Sequence, residues 1–185
     1  MEMNPPPSAR PAAPLTVSRP ALLERGSDAA FRRLVNGLLA LSTRHLALRD
    51  GHAARIGLGG PAYTILIVIR HLEADGPIGV GALAEHLKVS GAFITAETNK
   101  LAARGLMEKR RDTQTGHRVL LSVTPAGQAL LAALAPVQRL INDAEFAPLT
   151  RAEFRTLLRL VERLVPAADR ALEIQAKLEV AERAA

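Results

Sequence analysis

Cysteine is absent from the 185 residues, which excludes a disulfide framework, a thiolate nucleophile, thiolate metal ligands and a cysteine redox switch. Aromatic residues are scarce, and Tyr63 is the only tyrosine. No apolar run approaches the roughly 18 residues that a membrane-spanning helix needs; the longest, residues 65–69, is a handful. No basic region followed by an apolar one opens the chain, so no signal peptide is expected and a cytoplasmic location is. There is no glycine-rich phosphate loop, nucleophile elbow or HExxH motif. His45, His52, His71, His86 and His117 lack acids at metal-ligand spacing. Catalysis, a cofactor and a bound metal are therefore not expected.

What is present bounds the class from the other side. A hydrophobic content of 48% supports a folded core, and the length suits one domain or one domain with arms. The net charge of +6 and a pI near 10.7 favour an acidic partner such as nucleic acid. Residues 1–26 form a Pro-rich tail, with Pro5, Pro6, Pro7, Pro11, Pro14 and Pro20 and few large apolar groups, so disorder is expected there.

The chain then reads as helices. Asp28 is a suitable N-cap for a long helix whose stripe runs through Phe31, Leu34, Val35, Leu38, Leu41 and Leu48, ending near Asp50-Gly51. His45 shares that stripe. Pro61 opens a second helix that reaches Leu72, with the turn signal Asp75-Gly76-Pro77 beyond it. Its middle is apolar on every side, which predicts a central position. Ile78 and Val80 suit a short strand. Thr124-Pro125 begins a further helix, and Thr150-Arg151-Ala152-Glu153 is a capping box for a last one, with Pro136 and Pro166 as candidate bends.

Residues 83–124 organise the rest. Leu83, Ala84 and Leu87 mark a short helix, Lys88-Val89-Ser90 interrupts it, and Ser90 caps a second helix carrying Ile94, Thr98 and Leu101 up to Gly105. Two short helices joined by a tight turn match the helix-turn-helix. A hairpin follows, rising over residues 106–111 and returning over 118–123. Seven basic residues, Lys88, Lys100, Arg104, Lys109, Arg110, Arg111 and Arg118, face only Glu97, Glu108 and Asp112 in this stretch. A solvated hairpin without a partner would account for the charges alone. Joined to the helix-turn-helix, they point to a polyanionic duplex.

Residues 31–164 resemble the MarR (multiple antibiotic resistance regulator) family of dimeric transcription factors. The similarity rests on the runs 83–90 (LAEHLKVS), 99–106 (NKLAARGL), 109–112 (KRRD) and 121–127 (LSVTPAG). It implies a mainly α (α+β) fold: a winged helix-turn-helix with a helical dimerisation domain built from N- and C-terminal helices. The expected parts are a tail at 1–26, a dimerisation helix and loop at 27–60, a DNA-binding domain at 61–124 and dimerisation helices at 125–185. The resemblance also implies a homodimer whose reading helices enter successive major grooves of a pseudopalindromic double-stranded DNA.

Departures narrow the contacts. Gly91 and Ala96 stand where relatives often carry basic residues, and Glu97 where an apolar one is common. Ser90, Thr95, Asn99 and Lys100 are left to reach bases or phosphates, with Lys109, Arg111, His117 and Arg118 on the wing. His117 replaces an arginine usual at the wing tip, and alternation along a strand lets only one of His117 and Arg118 enter the minor groove. Runs 60–67 and 90–97 look like members that control aromatic-acid degradation. A small anionic aromatic acid or its coenzyme A thioester is then expected to release DNA, bound near Leu41, His45, Tyr63 and Ile67, and no membrane partner is expected. The rival class is a winged helix that contacts only proteins, which would not need a basic wing.

Overall fold

The structure is a computed structural model that describes residues 14–112 and 118–184. The hairpin tip, with His117, and the first half of the Pro-rich tail lie outside the described residues. After a 3-10 turn at Pro20–Leu22 come α1 (Ala29–Arg55), α2 (Gly60–Leu72), a 3-10 turn at Glu73–Asp75, β1 (Ile78–Gly79), α3 (Val80–Leu87) and α4 (Gly91–Ala103). Then follow β2 (Met107–Arg111), β3 (Val119–Val123), α5 (Pro125–Phe146) and α6 (Arg151–Ala184). The three strands form one antiparallel sheet in the order β1-β3-β2. Mainly α with a small winged sheet is the expected class, and no single described helix is long and apolar enough to cross a membrane.

The chain divides into two compact units between Leu130 and Leu131. In the first, Tyr63, Ile65, Leu66 and Ile69 of α2 are wholly buried together with Leu83, Ile94, Leu101 and Leu121. Each such side chain stabilises the fold by about 1.5–3 kcal/mol. α2 packs against α1, α4 and β3, so the helix read as apolar on all sides does occupy the middle of this unit. Ile67 and Val68 nevertheless remain half-buried. In the second unit Leu134 is buried, whereas α6 buries nothing along its length. The capping box forms: Thr150 N–H and Oγ1 donate to Glu153 Oε2 at 2.8 and 2.7 Å, and Glu153 N–H donates back to Thr150 Oγ1.

Four local expectations are corrected. α1 does not stop near Asp50-Gly51 but runs on to Arg55, because one interior glycine costs a helix only about 1 kcal/mol and the burial of His52 and Ala53 anchors the final turn. The helix ends where Gly57 takes a φ of +65° and Leu58 N–H bonds to Ala53 O. Val80 opens α3 instead of extending β1.

Asp28 does not cap α1 with its side chain; Ser27 Oγ accepts from Ala29 N–H instead, at 3.2 Å. The Asp28 carboxylate receives the N–H and the hydroxyl of Thr16, both at 2.8 Å, and the Arg32 guanidinium at 3.0 Å. Arg32 also donates to Pro14 O at 2.6 Å. With Arg32 foremost and Thr16 next, these donors hold the Asp28 carboxyl well below the ordinary carboxylate range. The described part of the Pro-rich stretch, expected to be unstructured, is thus tied to the start of α1.

Candidate nucleic-acid interface

The joint between α3 and α4 depends on two backbone devices. Lys88 adopts the left-handed region at φ 53° and ψ 44°, and the N–H of Val89 reaches Ala84 O at 3.1 Å, closing α3 as a C-cap. Ser90 then caps α4, its Oγ accepting from Phe93 N–H at 3.1 Å. α4 ends at Gly105, whose φ of +69° suits glycine.

Ile94, Thr98 and Leu101 turn inward, and the Thr98 hydroxyl is satisfied by Ile94 O at 2.6 Å. Gly91, Ala92, Thr95, Ala96 and Asn99 make the exposed face. Most are small, so a partner's surface can approach this backbone closely.

The wing's register pairs Met107 with Val123, Lys109 with Leu121 and Arg111 with Val119. Met107 and Lys109 therefore share the sheet face that meets the core. Lys109 Nζ emerges against α4, donating to Asn99 Oδ1 at 2.5 Å and to Thr95 O at 3.4 Å. Partial burial lowers its pKa. Arg110 and Arg111 on β2, and Arg118 just before β3, are exposed, and Asp112 N–H closes the hairpin onto Arg118 O at 2.8 Å.

Of the residues singled out from sequence, Thr95, Asn99 and Lys109 are brought into one cluster, while Ser90 sits at the head of α4. Lys100 turns along its own helix to Glu97, 2.6 Å away. That pairing accounts for an acid at a position where an apolar residue is common. Lys88 likewise bonds Glu85, and Arg104 donates to Gly57 O at 2.6 Å, joining the end of α4 to the loop before α2. Alternation from the buried Met107 was the sequence signal that Lys109 points inward.

Other bonds hold the wing to its neighbours. Glu73 Oε2 accepts from Val123 N–H at 3.0 Å, and Thr124 Oγ1 donates to Gly105 O at 2.6 Å. Of the expected ligand residues, Tyr63 is fully buried, His45 and Ile67 are half-buried and Leu41 is exposed. Arg49 lies 5.3 Å from the Tyr63 ring centre, and His52 meets that ring edge-on at 6.3 Å. Burial pushes the Tyr63 hydroxyl's pKa up, against a smaller opposing effect of Arg49.

A probable transcriptional regulator from Pseudomonas aeruginosa, of known structure, is 31% identical to this chain; the match covers 69% of this chain and 92% of that one, with a TM-score of 0.55. A cysteine-to-serine mutant of E. coli MarR, solved in complex with operator DNA, has the same fold, at 19% identity over 75% of this chain and 95% of its own and a TM-score of 0.60. So has Bordetella bronchiseptica BpsR, at 21% identity, 72% and 98% coverage and a TM-score of 0.58. This chain belongs with the Pseudomonas protein among transcriptional regulators, and its fold is that of MarR. A scan against protein-family models found no match, and neither did a search of curated proteins. Its structural relatives are regulators and not enzymes.

Proposed function

We propose that this chain is a MarR-family regulator that works in the cytoplasm as a homodimeric repressor and holds a pseudopalindromic operator until a small aromatic acid, or its coenzyme A thioester, releases it. The observation that carries the dimer is uncovered apolar surface. Leu34, Val35, Leu38 and Leu41 on α1, and Phe154, Leu158, Val161, Leu164 and Leu172 on α6, are exposed. An exposed apolar stripe of this kind, on each helix taken by itself, calls for a partner. On α6, Leu157, Leu160, Leu164, Ala167, Ala171, Ile174, Leu178 and Ala181 recur at alternating steps of three and four, the seam of two helices wound together. Two-fold symmetry then gives two reading helices, with half-site centres about 10 base pairs apart. Sedimentation at micromolar concentration is expected to give a dimer; a monomer would refute this reading.

Ser90, Thr95, Asn99 and Lys100 on α4, with Lys109, Arg111, His117 and Arg118 on the wing, are the proposed DNA contacts. For the effector, regulation of DNA binding by 6-hydroxynicotinic acid in BpsR supports an aromatic acid acting on this fold. The proposed site lies where α1 meets α2, with Tyr63 and His45 as polar groups, Leu41 and Ile67 as apolar wall and Arg49 as a cation for a carboxylate. Linkage supplies the test: aromatic acids titrated with and without operator must bind more weakly to the DNA complex by the same factor as they weaken DNA. Equal affinity in both conditions would refute the coupling.

A further inference from the structure

We propose that Lys109 sets the base preference of α4 by holding the Asn99 amide so that the pair presents only hydrogen-bond donors to DNA, selecting guanine. The inference rests on the reading above, in which α4 lies in the major groove. An ammonium has three donors and no acceptor, so the Asn99 atom beside Lys109 Nζ must be the carbonyl oxygen. The bond of 2.5 Å therefore fixes which end of the amide faces outward. Asn99 is exposed; one acceptor site of its oxygen is taken and the other lies beside the ammonium, so what it offers a ligand most favourably is the Nδ2 pair of hydrogens.

An asparagine reads adenine by doing two things at once, donating to N7 while its oxygen accepts from the N6 amino group. Here that oxygen is already engaged, and a positive charge stands beside it. An incoming adenine amino group would bring its own positive hydrogens toward the ammonium. Guanine presents two acceptors, N7 and O6, at the same edge, and both suit an all-donor surface. The wing strand thus takes part in base selection without touching a base. Its lysine is held in place from both sides: it shares the inward face of β2 with Met107, and it makes a second bond to Thr95 O.

The test is selection from a randomised duplex pool with the full chain and four variants, each first checked by its thermal melt. Wild type and Lys109→Arg, which keeps an all-donor group, are expected to select guanine at one position of each half-site. Asn99→Ala should lose that selection. Lys109→Met frees the amide oxygen and should move the preference toward adenine by on the order of ten-fold. Asn99→Asp keeps the bond to Lys109 but removes the donors, so it should abolish guanine selection even if Lys109→Met fails to fold. Guanine retained in either Lys109→Met or Asn99→Asp overturns the inference and leaves the DNA-reading assignment standing. Wild-type protein that binds duplex without selecting any sequence overturns that assignment, and the inference with it.

Discussion

Gly127→Ala should weaken the fold at the point where α5 leaves the wing, although alanine is the better helix former. A Cβ at Gly127 would stand 2.2 Å from the carbonyl oxygen of Leu106 and 2.7 Å from a Val123 methyl group. The oxygen belongs to the backbone, so it cannot swing aside. The start of α5 must move by roughly 1 Å to reach ordinary contact distances. That motion acts on two bonds, Thr124 N–H to Leu106 O at 3.2 Å and Thr124 Oγ1 to Gly105 O at 2.6 Å. Overpacking costs about 1–3 kcal/mol, and each weakened hydrogen bond up to about 1. The helix preference of alanine returns about 1 kcal/mol, which leaves a net loss of about 2–4 kcal/mol with both bonds fully weakened. Urea unfolding at one fixed protein concentration measures this, since a dimer's stability depends on concentration. Gly51→Ala is the control: it lies inside α1 with nothing within 4 Å of its added Cβ, and should gain up to about 1 kcal/mol. A Gly127→Ala protein as stable as wild type would refute the close approach of α5 to Leu106.

Thr16→Ala removes the hydroxyl donor to Asp28 while keeping the backbone N–H bond, and should loosen the arm over residues 14–27, read as faster limited proteolysis there with the rest of the chain equally resistant. Glu153→Gln should lower the melting temperature at neutral pH. Because its bonds to Thr150 lower the Glu153 pKa, that contribution is full above the ordinary value of 4.5 and fades as pH falls below it, so variant and wild type should converge in acid. Arg118→Ala should weaken specific and random duplexes alike, since an exposed arginine at the wing base neutralises phosphate without reading a base; a loss confined to the operator would count against that role.

The fold was legible in the sequence wherever a local rule and the packing agreed. Ser90 and the Thr150–Glu153 box cap their helices as their spacing predicts. The hairpin strands fall within a residue of their expected ends. Asp28 and Gly51 misled because tertiary packing overrode the local signal: Thr16 claims the carboxylate that would have capped α1, and the burial of His52 and Ala53 carries α1 past its glycine. The site was less legible for a related reason. Charges can be counted along a sequence, but their partners cannot.

That difference makes a last prediction. Seven basic residues in the reading head suggest up to seven phosphate contacts per subunit. Yet Lys88 is bonded to Glu85, Lys100 to Glu97, Arg104 to Gly57 O and Lys109 to Asn99. If those bonds persist on DNA, Arg110, Arg111 and Arg118 carry most of the phosphate neutralisation. Each neutralised phosphate contributes about −0.9 to the slope of log affinity against log salt. Three per subunit in a dimer give roughly −5, whereas seven would give roughly −13. The slope is measured with a random-sequence duplex between 50 and 200 mM salt, about the range over which such dependences are steep. A value near the larger figure would mean that the internal lysine bonds break when DNA arrives. If the Lys109 bond is among them, the Asn99 amide is released as well, and guanine selection should weaken with it.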